Sequence, residues 1–139
     1  MSASNPVPVR DFPSDLRSES PSIKSDRPID LVHLSRQSLG DRELEIELLS
    51  LFSRQSEQII EHLGSSMSAS DRRWRHDLSH TLKGSARAIG AGRVALAAEA
   101  YEEAMYAGRS EAELAACVER LQSTVAEAQG AIRDLLADI

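Results

Sequence analysis

Leu114, Val118, Leu121, Val125, Ala128, Ile132, Leu135 and Ile139 follow one another at intervals that alternate between four and three. On an α-helix these positions form one narrow stripe. Such a stripe seams against neighbouring helices at small crossing angles, as in an antiparallel bundle. Strand-like alternation of apolar and polar residues is absent from the chain, and there is no internal repeat. Aromatic residues make up only 4% of the sequence while Ala and Leu are plentiful, which again favours helices over sheets. The pattern predicts an all-α fold, an antiparallel four-helix bundle with a short extra N-terminal helix.

The remaining elements follow from caps and breakers. Residues 1–28 contain all five prolines, no glycine and few large apolar residues. A segment of this kind cannot bury enough surface to offset its ordering entropy, so it is expected to be a disordered N-terminal tail. The bundle domain is expected over 29–139. Asp30 is placed as an N-cap, with Ile29 and Leu34 as a hydrophobic staple and Gly40 as the residue that ends a helix running from Leu31 to about Ser38. A second helix is predicted from Asp41 to about Leu63, with Leu44, Leu48, Leu51, Phe52, Ile59, Ile60 and Leu63 on its inward face. The serine-rich stretch 65–70 links it to a third helix, from about Asp71 to Ile89. Gly90-Ala91-Gly92 forms a tight turn, and a fourth helix spans about Arg93 to Ala107. Its expected inward residues are Val94, Ala97, Ala98, Tyr101, Ala104 and Met105. Ser110 and Glu113 form a capping box that opens the last helix.

Within the third helix lies Asp77-Leu78-Ser79-His80-Thr81-Leu82-Lys83-Gly84-Ser85-Ala86-Arg87-Ala88-Ile89-Gly90-Ala91. With His80 at zero on a wheel of about 100° per residue, Lys83 falls near −60°, Gly84 near +40° and Arg87 near −20°. Trp74, Leu78, Leu82 and Ile89 fall between about 120° and 200° and form the expected buried face. His80 therefore points to solvent, beside two cations and a residue without a side chain. A neutral imidazole, with an unperturbed pKa of about 6.5, is a free nucleophile at neutral pH. Lys83, one turn on, can reach an anionic group added to the imidazole, and Arg87 is a more distant candidate for that role. Gly84 costs about 1 kcal/mol of helix propensity, and on the imidazole side its missing Cβ gives a partner room to approach. His33, His62 and His76 lack such neighbours and read as solvated polar residues.

His80-Thr81-Leu82-Lys83-Gly84-Ser85-Ala86-Arg87-Ala88-Ile89-Gly90 resembles the signature of the histidine phosphotransfer (HPt) domain family, His-x-Leu-Lys-Gly-(Ser)-x-x-x-x-Gly. With the surrounding helices, the resemblance covers roughly residues 29–137. It implies a phosphocarrier of two-component phosphorelays rather than an enzyme. His80 would accept a phosphoryl group, at Nε2 in the family, from a receiver-domain aspartate and relay it to another receiver domain. Lys83 and Arg87 would stabilise the phosphate and Gly84 would give access. Implied partners are response-regulator receiver domains and hybrid histidine kinases. Any Mg²⁺ belongs to the partner receiver, so no cofactor is expected on this chain.

Other functions are disfavoured by the same sequence. The formal charge of −6 comes without a Lys/Arg block, which argues against nucleic acid as a partner. The lone Cys117 permits no internal disulfide and no cysteine zinc cage. There is no apolar run long enough for a membrane span and no apolar signal-peptide core. A cytoplasmic protein is expected, and a monomer. Two alternatives from other classes are a four-helix adaptor that keeps the motif without carrying phosphate, and a metal hydrolase built on the His76/His80 pair at i, i+4. The second lacks an evident third ligand, and Lys83 and Arg87 would repel a cation, so no metal site is expected.

Overall fold

The computed structural model describes residues 27–65 and 71–138. Among these are five helices and no strand: α1 (Leu31–Ser38), α2 (Arg42–Leu63), α3 (Arg72–Ile89), α4 (Gly92–Tyr106) and α5 (Glu111–Ala137). The four long helices form a closed ring, with α2 on α3, α3 on α4, α4 on α5 and α5 back on α2. The backbones of diagonal pairs stay apart, and α1 packs on α2 and α3. This is the expected four-helix bundle with a short N-terminal helix across it. The expected tail lies outside the described residues apart from 27 and 28, as does the linker segment 66–70.

Side-chain caps start four of the helices. Asp30, Asp41, Asp71 and Ser110 each accept hydrogen bonds from backbone N–H groups of the first turn. The Ser110–Glu113 capping box is present in both directions. The start of α4 has no side-chain cap, because the α3–α4 connection is only Gly90-Ala91. Gly90 takes φ +84°, and the Ala91 N–H reaches back to the Ala86 carbonyl at 2.8 Å. The Asp30 N–H donates to the Gly90 carbonyl at 2.8 Å, which ties the entry to α1 onto the end of α3. A Cβ on Gly90 would meet the Asp30 carbonyl oxygen at 2.8 Å, so this position needs glycine both for its dihedral and for the close approach.

The core is filled from every helix. Leu82, Tyr101, Leu121 and Val125 are fully buried, with Leu34, Phe52, Val94, Leu114 and Ile132 around them. Burying one such aliphatic side chain contributes about 1.5–3 kcal/mol. The α5 stripe sits as expected: Leu114, Leu121, Val125, Ala128 and Ile132 are buried, Val118 and Leu135 half-buried, and Ile139 lies outside the described residues.

Two helix faces and one helix end differ from expectation. On α2, Leu49, Phe52, Ser56, Ile59 and Leu63 are buried, whereas Leu44 and Leu51 are exposed. The true stripe follows the four-three seam through Ser56, whose hydroxyl closes on the Ser53 carbonyl at 3.1 Å and so needs no partner across the core. On α3 the buried residues are Arg75, Ser79, Leu82, Ala86 and Ile89, and Trp74 is on the surface, tilted against His62 at 5.1 Å. The buried arc thus centres near 220° on the His80 wheel instead of 160°, about 60° closer to Lys83. At the end of α1 the left-handed backbone starts one residue early, at Leu39 with φ +55°, and continues through the expected Gly40 with φ +79°.

Candidate functional site

The rotation of α3 decides the surroundings of His80. The imidazole stays outside, with its side chain 65% exposed. Lys83 moves to the edge of the core and is only 16% exposed. Across the groove between α3 and α4 stands Glu102, buried at 11% side-chain exposure. The Lys83 ammonium donates to Glu102 Oε1. His80 Nδ1 lies 2.8 Å from Glu102 Oε2. His76 Nε2 approaches the same oxygen at 3.5 Å, and the His76 and His80 rings lie parallel, 10° apart in plane and 6.1 Å between centroids.

Glu102 therefore joins three side chains of α3. Burial on its own would raise its carboxyl, but hydrogen bonds from Lys83 and His80, with their charges, outweigh that and hold it below the usual carboxylate range. An ionised carboxylate can only accept. The shared proton of a neutral imidazole then sits on Nδ1, and the lone pair is on Nε2, facing solvent. The carboxylate also offsets positive charge that develops on the ring when Nε2 attacks an electrophile, as it does for metal-bound or catalytic imidazoles elsewhere.

Of the residues singled out in the sequence, His80 and Lys83 converge on one carboxylate. Gly84 is exposed, and an added Cβ would meet nothing within 4 Å, so no helix packs against it. Arg87 is not part of this cluster; it points to Glu99 on α4 at 3.7 Å, with its side chain 58% exposed. His76 is more than a solvated residue, and His33 is half-buried. Lys83 is not the free, solvent-facing cation expected, because the turn of α3 brings it over Glu102. Glu102 itself was missed. A signal existed: it shares a face with Ala95, Ala98 and Met105 on a helix whose other buried residues are apolar. Among the described residues no group of three or more His, Cys, Asp or Glu is placed to hold a metal ion. No helix is long and apolar enough to cross a membrane.

An exposed imidazole in contact with a carboxylate, on the second long helix of a four-helix bundle, points to one class, the histidine phosphotransfer fold. The sequence model of the Hpt domain matches residues 47–139, and the chain belongs to that family. A solved rice structure, assigned as a histidine-containing phosphotransfer protein, superposes with a TM-score of 0.69 over 89% of this chain and 90% of that one. The two share 15% sequence identity, so this likeness bears on the fold. No curated protein sequence matches the chain.

Proposed function

We propose that this chain is a phosphocarrier whose acceptor atom is His80 Nε2, loaded from the aspartyl phosphate of a receiver domain and unloaded onto the aspartate of another. The observation that carries this reading is the 2.8 Å contact between His80 Nδ1 and Glu102, which leaves the outward nitrogen with the lone pair. In the loading step the Nε2 lone pair forms the N–P bond as the P–O bond to the donor carboxylate breaks. The carboxylate leaves with its electron pair, and the Nδ1 proton remains between His80 and Glu102. The reverse step unloads the carrier. The receiver brings Mg²⁺ and the groups around the phosphorus; this chain brings an oriented imidazole, a cation and an open approach past Gly84. Transfer of this kind depends on in-line positioning more than on acid–base chemistry, which a rigid bundle supplies.

The test is incubation with a receiver domain phosphorylated at its aspartate, followed by detection of acid-labile, base-stable label on this chain. His80→Gln is expected to remove all label with helical content unchanged. Label persisting in that variant would overturn the assignment, and absence of label on the native chain with every receiver tried would favour the adaptor reading.

A further inference from the structure

His76 lies one turn before His80, displaced about 40° towards Lys83 on the helical wheel of α3. Its side chain is 48% exposed. Across the groove α4 presents Glu102 to it. His76 Nε2 stands 3.5 Å from Glu102 Oε2, the same oxygen that His80 Nδ1 reaches at 2.8 Å. The other Glu102 oxygen is taken by Lys83. On its opposite side the His76 ring turns Nδ1 to Asp77 Oδ1, 3.7 Å away. The two imidazoles are 6.1 Å apart between centroids.

Each ring nitrogen of His76 thus faces a carboxylate oxygen. A neutral imidazole donates from one nitrogen, and an imidazolium donates from both. His80 has a carboxylate at Nδ1, while its Nε2 looks to solvent. An added proton can enter this group at His76, between two carboxylates, or at His80 Nε2. The first place gains a second charge-assisted contact and is the better one. Once His76 is charged, repulsion between the two rings opposes a proton on His80 Nε2. Lys83 opposes a charge on either ring. Arg72 and Arg73, one turn before His76, oppose its charge, but both are on the surface and Arg72 Nη2 is directed to the Met105 carbonyl at 2.9 Å.

A proton on Nε2 occupies the lone pair that forms the N–P bond. We propose that His76 is a positioning residue for the acceptor: it takes up the proton that would block His80 Nε2 as pH falls, and so keeps the nucleophile free below neutral pH. The inference rests on the reading of His80 as the phosphoryl acceptor.

The experiment compares the full native chain with His76→Gln and His76→Lys in two arms. In the first, NMR follows the histidine ring resonances from about pH 8 to about pH 5. In His76→Gln the midpoint of His80 is expected about 0.5 pH unit above its native position, the effect of one screened charge at the distance between the rings. His76→Lys, charged throughout this range, should hold the midpoint at or below the native one. In the native chain His76 should take its proton before His80. In the second arm a phosphorylated receiver labels the three proteins, and each rate is divided by the native rate at the same pH, which cancels the donor's own pH dependence. His76→Gln should match the native chain at about pH 8 and fall to about one third of it at about pH 5. Equal His80 midpoints in the native chain and His76→Gln would overturn the proposal. A rise in His76→Lys equal to that in His76→Gln would overturn it too, by reducing His76 to a packing role. A shifted midpoint with a flat labelling ratio would overturn the link to acceptance. Absence of label on the native chain would refute the phosphocarrier reading instead, and the first arm would still decide which ring takes the proton.

Discussion

Glu102 governs both the nucleophile and the cation beside it. Glu102→Gln keeps the shape and leaves an amide oxygen that can still accept from Nδ1, but it removes the charge. Phosphoryl acceptance should slow by about tenfold, equivalent to about 1.4 kcal/mol, as read from a time course of labelling. The sign of the pH effect follows from the lowered carboxyl. Unfolded, the group titrates near its ordinary 4.5; folded, below it. The contribution is therefore complete above the unfolded value and is lost as pH falls through the folded one. Chemical denaturation between about pH 5 and pH 2 should show a shallower loss of stability in Glu102→Gln than in the native chain. Parallel slopes would mean that Glu102 is not held ionised by its partners. Lys83→Ala should slow transfer by about tenfold, since an ammonium near an added phosphate of about two charges is worth about 1–1.5 kcal/mol when partly screened. It should also cost about 1–3 kcal/mol of stability, because it strands a buried carboxylate. That second effect is invisible on a helical wheel of α3 alone, where Lys83 lies off the apolar face.

At the scale of elements, turns and caps were legible and the rotation of helices was not. Asp30 and Ser110 were read as caps from local chemistry and cap their helices; Asp41 and Asp71, expected as first helical residues, cap theirs from one position outside. The facing of α3 depends on what α2 and α4 present to it. Ser79 and Ala86 were not counted as buried because apolar size was the criterion. Yet small residues permit close helix approach, and the Ser79 hydroxyl satisfies itself on the His76 carbonyl at 3.0 Å. Two substitutions test the backbone account. Gly90→Ala should cost at least about 2 kcal/mol, from the left-handed dihedral together with the Asp30 contact, and should lower the thermal midpoint sharply. Leu39→Gly should instead stabilise by about 0.5–1 kcal/mol, because the side chain is 91% exposed and its backbone is in the left-handed region. A third separates folding from access. Gly84→Ala should raise stability by up to about 1 kcal/mol, since nothing lies within 4 Å of the new methyl, and should still slow transfer. An unaltered transfer rate would remove the access role of Gly84.

For the whole molecule, the four-three seam of α5 and the short connections were enough to define a bundle, and the motif was enough to place His80 outside it. What the sequence could not deliver was the cross-helix pairing of α3 with α4, since no local spacing relates His80 to Glu102. That pairing is the centre of the account, because it assigns the reactive nitrogen. The direct measurement is a long-range ¹H–¹⁵N spectrum of the native chain before and after phosphorylation by a receiver. Before phosphorylation, His80 should show the proton on Nδ1 and a lone-pair shift at Nε2. Afterwards, phosphorus coupling should appear at Nε2 of His80. Coupling at Nδ1, or on His33, His62 or His76, would contradict the account.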